Sequence, residues 1–311
     1  YAGGVLGSGD GVVLRNSSEN QTDLKSVQAG ADYAGGISGA VKAASGLGVL
    51  NKALGLAQAL EFQIDGVKVD VEEVTAKNYY SGGAFGLLAG GTVNNSSVSG
   101  LKKTEAENYA GGFVGRTGAT SVAEAGGINL LGLNLVKVDD LLSLGKILQA
   151  KVENCSLQGE NASVTAIGNT EEHHYYAGGF VGENNSGKIS DSHVTGLAQV
   201  STTKADRDTY AGGFAGCSRV GGLADIGTDD SLGGFLDEGL LDIDGLLDAV
   251  GYLIPEYERC SVVFAAHEDT ENPQVKAASA GGFIGEMQGG KIDNSGMDSS
   301  YAVENVKYVE G

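Results

Sequence analysis

The chain has 311 residues, 52 of them glycine, with 2 prolines and no tryptophan, and 41% of it is hydrophobic. That apolar share is enough to build a core, so the glycine-rich composition does not signal disorder. Lys and Arg total 20 against 40 Asp and Glu, a formal net charge of −20; such a surface repels phosphate backbones and excludes a nucleic-acid-binding role. No apolar run approaches the roughly 18 residues of a membrane span, so membrane insertion by this segment is not expected.

One heptad recurs along the chain. It reads YAGGVLG from Tyr1, YAGGISG from Tyr33, YSGGAFG from Tyr80 and YAGGFVG from Tyr109. It returns as YAGGFVG from Tyr176, YAGGFAG from Tyr210 and SAGGFIG from Ser279. The intervals between starts are 32, 47, 29, 67, 34 and 69 residues. Repetition near 30 residues marks a solenoid. The first letters already form a repeat and are not preceded by Met, so the segment is expected to belong to a longer protein.

A short unit, 176–209, divides at Gly, Asn, Ser and Asp into alternating or apolar stretches that predict three strands and three turns per coil. A second signature follows the heptad in five units, with a fainter version at Leu14-Arg15-Asn16-Ser17: an apolar residue, then Ser or Cys three places later. It is seen as Val93 with Ser96, Val152 with Cys155, Ile189 with Ser192, Tyr257 with Cys260 and Ile292 with Ser295. The glycine pairs are Gly3 and Gly4, Gly35 and Gly36, Gly82 and Gly83, Gly111 and Gly112, Gly178 and Gly179, Gly212 and Gly213, and Gly281 and Gly282. They are expected where the chain bends or nears another backbone, because coils must stack at about 4.8 Å. The tyrosines at 1, 33, 80, 109, 176 and 210 are expected to stack from coil to coil, with the Phe or Val after the glycines filling the core.

GGFVG followed by Gly-Lys-Ile-Ser-Asp-Ser closely resembles the GLUG-motif repeats of bacterial surface adhesins and related secreted proteins. The resemblance covers the short units, about two-thirds of the chain. It implies a right-handed parallel β-helix of about seven coils, exposed on a bacterial surface or cell wall. The whole of 1–311 is thus expected to be one all-β solenoid domain.

Three long units carry extra Leu-rich residues at one place, between the heptad and the second signature: about 40–63, 116–150 and 218–256. Helical spacing of apolar residues after an acidic start predicts a helix over Asp139–Leu148, and similar patterns mark 237–254 and 50–60. Insertions on alternate coils leave from one side of the solenoid. They either cap a sheet or present a binding face, with Leu141, Leu144, Leu148, Leu240 and Leu247 as its candidate residues.

No catalytic, cofactor or metal constellation stands out. His173 and His174 point to opposite faces if in a strand, and Asp242-Ile243-Asp244-Gly245 lacks the remaining positions of a calcium loop. Asp191, Asp293, Glu153 and Glu258 follow the repeat, with no Arg or Lys expected beside them. Cys155 and Cys260 sit two coils apart, beyond disulfide reach, while Cys217 near Cys260 stays open. The function expected is a non-enzymatic surface module for adhesion or presentation, meeting a host or neighbouring-cell protein or glycan. The alternatives are a filament subunit that self-associates through its coil ends and a polysaccharide-active enzyme.

Overall fold

The computed structural model describes residues 1–16, 22–43, 62–118, 149–168, 174–204, 208–220, 254–266, 272–294 and 303–311. The predicted helices and all five candidate leucines (Leu141, Leu144, Leu148, Leu240 and Leu247) lie outside the described residues, save Ile254, which is at a bend. The described residues form strands, turns and bends only.

Each heptad opens one coil, numbered 1 to 7 in chain order. A coil has four strands, not the three expected. In coil 3 these are Tyr80–Gly82, Phe85–Ala89, Thr92–Asn94 and Ser97–Ala106. The heptad itself splits in two, because Gly83 and Ala84 bend the chain between Tyr80–Gly82 and Phe85–Ala89. Equivalent strands stack in parallel, building three seven-stranded sheets and a fourth that also takes in the last short strands. The fold is a parallel β-helix.

Register is strict. Tyr109 pairs with Tyr80 and Tyr176, and Gly111 with Gly82 and Gly178. The conserved spacing inside each heptad therefore becomes vertical rows of like residues. Inward rows fill the core: Phe113, Phe180 and Phe214 are fully buried, and their rings stack at 4.8 and 4.9 Å. In the third sheet the inward row is Ile64, Val93, Val152, Ile189 and Tyr257, all at most 1% exposed. Stacked aromatic pairs of this kind add about 0.5–1.5 kcal/mol each beyond area burial.

The glycine pairs serve close packing between coils. A methyl carbon placed on Gly178 would lie 1.9 Å from the Val181 carbonyl oxygen of its own coil, and one on Gly179 would lie 1.9 Å from the Gly213 oxygen of the next coil. Neither position has room for a side chain. A different device turns the corner between third and fourth sheets. Gly66, Asn95, Asn154, Asp191 and Arg259 there have φ of 70°, 51°, 51°, 47° and 51°. This left-handed region suits Gly, Asn and Asp, so Arg259 needs outside support. The residue just before the Ser or Cys of the second signature is thus a corner residue.

Short coils close the gap between second and third sheets with two residues, Gly90-Gly91 in coil 3 and Ser186-Gly187 in coil 5. Coils 2, 4 and 6 depart from that same corner, after Ala43, Gly118 and Val220, and return at Phe62, Gln149 and Ile254. Residues 40–42, 116–118 and 218–219 belong to second-sheet strands, so the extra residues begin slightly later than the composition suggested.

Candidate functional site

The tight bend at each glycine pair brings the outer faces of the first two sheets together. On one wall stand the tyrosines. Ring centroids run 4.6, 5.0, 4.7, 5.1 and 5.3 Å apart from Tyr1 through Tyr33, Tyr80, Tyr109 and Tyr176 to Tyr210, with interplanar angles of 3° to 22°. On the other wall the second sheet offers the row Ser8, Ala40, Leu87, Arg116, Glu183, Cys217 and Glu286. Tyr176, Tyr210 and Cys217 form an apolar cluster separate from the main core, with Tyr109 packed against it.

The walls differ along the axis. In coils 1 to 3 small or aliphatic residues face the rings. In coils 4 to 6 the ring edges meet charge. The Glu183 side chain is 1% exposed; its carboxylate lies 2.6 Å from Arg116 Nε and 3.6 Å from Arg219 Nη1. Arg219 donates to the Tyr176 hydroxyl at 2.8 Å and lies over the Tyr176 ring, as Arg116 lies over Tyr109. A buried carboxylate needs opposite charge beside it, and the two arginines supply it here. Burial, reinforced by Glu183, pushes the Tyr109 and Tyr176 hydroxyls above the ordinary phenol range, so both rings stay neutral. Burial opposes the charge on Arg116, but Glu183 and the neighbouring phenols outweigh it and hold the guanidinium above its usual value. The arrangement is a clamp of alternating sign across three coils, set beside a continuous aromatic ladder.

A second row of polar contacts follows the third corner. Asn95 donates to Asp65 and Asn154 donates to Asn95, both at 2.7 Å. Above them Arg259 donates twice to Asp191, at 2.6 Å each, and also to Glu258. Lys188 bridges Glu256 and Glu258. Two of the acids thought to stand without a basic partner therefore have one, since stacking brings Arg259 and Lys188 beside them from their own and neighbouring coils. These contacts also anchor Arg259 in its left-handed conformation. A shallow recess lined by Asn94, Asn95, Glu153, Asn154, Asp191 and His193 lies where the ladder passes from amides to the ion pair.

Inside this corner the small-residue row is structural. Ser96 accepts from the Val67 amide at 3.2 Å, Ser192 from the Cys155 amide at 3.3 Å, and Ser96 and Ser192 also donate to the carbonyls of Asn94 and Ser190. Cys155, Cys217 and Cys260 are buried and free, so Cys217 and Cys260 do not pair. Among the described residues no three His, Cys, Asp or Glu side chains gather as metal ligands. His193 meets the Ser261 hydroxyl and His174 lies 3.8 Å from Asp208; His173, His267 and 242–245 lie outside the described residues.

Residues 173–201 match the family model of the GLUG motif. That match spans the described strands of coil 5 almost to the end of its fourth strand, and the six other heptads stack on it in register. The chain carries a GLUG-motif repeat. No curated protein and no solved structure matches it. In this solenoid the motif's Tyr and Gly positions make the first sheet and the bend, and Asp191-Ser192 makes the corner between the third and fourth sheets. The tyrosine ladder was readable in the sequence. The Arg116–Glu183–Arg219 clamp was not recognised there. Its only signal was that Arg116 and Glu183 break a row that is small or aliphatic in the earlier coils, with Arg219 two positions beyond that row in the next coil.

Proposed function

We propose that this protein is a non-enzymatic extracellular module of a bacterial surface, a stiff rod that carries a face for adhesion or presentation. One observation carries the reading: four sheets run through seven coils without a break, and all three long insertions leave the rod at one corner, on coils 2, 4 and 6. A solenoid whose extra residues all emerge along one side has the layout of a scaffold for a binding face. The partner class is a host or neighbouring-cell surface protein or glycan. The absence of catalysis is favoured by the engagement of the prominent acids, since Glu183 is held between two arginines and Asp191 by Arg259.

Coils 3 and 5 supply the design of the test. Replacing the three insertions with the Gly-Gly or Ser-Gly turn of these coils preserves every described strand. The trimmed protein is expected to keep its far-UV circular dichroism and to lose binding to intact cells and to a glycan array. Equal binding by both forms would refute a binding face built from the insertions, and turnover of a polysaccharide substrate would refute the non-enzymatic reading.

A further inference from the structure

No disulfide ties one coil to the next, because Cys155, Cys217 and Cys260 are all buried and free. The tyrosine ladder has the chemistry to form a different kind of tie. Tyr33 of coil 2 and Tyr80 of coil 3 stand in register on adjacent parallel strands. Their ring centroids are 5.0 Å apart and their planes lie 15° from parallel. Both rings are half-buried and so partly open to solvent.

The rest of the ladder is less open to oxidation. Ala40 and Leu87 hold the second-sheet row at coils 2 and 3, whereas a guanidinium lies over Tyr109 and another over Tyr176. A cation over a ring face opposes removal of an electron from that ring. Burial and Glu183 also hold the Tyr109 and Tyr176 hydroxyls above the ordinary phenol range, so their protons leave less readily. Tyr176 and Tyr210 are 0% and 7% exposed, out of reach of a dissolved oxidant. Arg116 does donate to the Tyr80 hydroxyl, and a donor there supports the oxygen as its own proton departs. Tyr79 meets Tyr80 at 5.8 Å but tilted by 39°, so that pair is not stacked.

We propose that Tyr33 and Tyr80 are a site of oxidative coupling, joined ring to ring as dityrosine when the protein meets hydrogen peroxide and a one-electron catalyst. Each phenol gives up one electron and its hydroxyl proton, and the two radicals bond through the carbons ortho to the oxygens. The hydrogen on each of those carbons then moves to its oxygen, which restores both aromatic rings and both hydroxyls. The two electrons and two protons reduce one peroxide to two waters. Coupling needs two radicals in contact before either is quenched, and strands held about 4.8 Å apart keep these rings together. The link spans the 47 positions from Tyr33 to Tyr80 and fastens coil 2 to coil 3 across a long unit.

The test treats dilute protein with hydrogen peroxide and catalytic haemin, which is small enough to approach a half-buried ring. It is run in Tyr1→Phe, which removes the phenol on the other side of Tyr33. Phe keeps each ring in the stack, so circular dichroism is expected to be unchanged in every variant. Dityrosine emission is expected in a band that stays monomeric on a denaturing gel. Trypsin is expected to release 26–42 joined to 78–102, two hydrogen atoms lighter than the sum of the two peptides. Adding Tyr33→Phe or Tyr80→Phe is expected to abolish the joined peptides, and adding Tyr176→Phe to leave them unchanged. The coupled chain is expected to denature several degrees higher, because the link closes a long loop in the unfolded state. Absence of the joined peptides would overturn the proposal, as would emission that maps to Tyr79 with Tyr80 or to links between molecules. An equal yield of the same joined peptides from urea-denatured protein would also overturn it, since the stack would then not select the pair.

Discussion

Gly179→Ala in coil 5 isolates what holds adjacent coils together. The added methyl would sit 1.9 Å from the Gly213 oxygen and 2.4 Å from a Leu197 methyl. Even close C–H···O contacts lie near 3.3–3.6 Å, so coils 5 and 6 must part locally by about 1.5 Å. The Gly179, Phe180 and Val181 amides donate to coil 6 at 3.1, 2.8 and 3.0 Å. A separation of that size breaks all three, at about 1 kcal/mol net each. It also opens the Phe180–Phe214 stack at 4.9 Å, worth about 0.5–1.5 kcal/mol. The expected loss is about 3–5 kcal/mol, near the upper range for a single substitution. Gly282→Ala supplies the control. It occupies the same heptad position in coil 7, where the nearest atom to the new methyl is a Val303 methyl at 3.5 Å, an ordinary contact. Its cost is expected to stay below about 1 kcal/mol, and any unfolded-state effect of Gly→Ala is common to both variants. Urea denaturation followed by circular dichroism gives midpoint and slope, and the slope detects coil-by-coil unfolding. Equal losses in both variants would refute the reasoning, because the glycine would then be required by its own backbone conformation. A neutral Gly179→Ala would show that the coils are not closely packed at that row.

The clamp is tested with Glu183→Leu, which leaves Arg116 and Arg219 without their shared carboxylate. Breaking a buried pair costs about 3–5 kcal/mol, lowered here to about 1–3 by the partial exposure of both arginines, and thermal denaturation measures it. Burial pushes the thiols of Cys155, Cys217 and Cys260 up to about 12, so at pH 8 none is a thiolate. An aromatic disulfide reagent is expected to titrate no thiols in native protein and all three in denaturant; a fast-reacting thiol in the native state would contradict their burial. The hydrogen bonds from Arg259 hold the Asp191 carboxyl below its usual range. The stability this contributes is present above the unfolded carboxyl's pKa and is lost as pH falls through the lowered folded value. Asp191→Asn is therefore expected to be less stable than the parent at pH 7 and to converge with it in acid, read from denaturant midpoints across pH; a gap that persists once the parent's Asp191 is protonated would assign the effect to something other than charge.

Much of the architecture lay in the primary sequence because repetition is a local signal. Seven YAGG-like starts and the Ser or Cys three places after an apolar residue require only that each coil meet the same environment. From these alone came the β-helix, the tyrosine ladder, the buried small residues and the corner that receives the insertions. The strand count per coil did not follow. That YAGGFVG bends at its second glycine instead of running straight shows only in the folded chain, where the Gly178 carbon packs against the Val181 carbonyl and the two halves of the heptad join different sheets. Pairing of charges was hidden for the same reason. Arg116 and Glu183 are separated by 67 positions, and Asp191 and Arg259 by 68, yet stacking sets each pair 2.6 Å apart. Which residues share a coil is written along the chain, whereas which residues face each other across coils is decided only when the length of every intervening loop has been absorbed and the sheets settle into register.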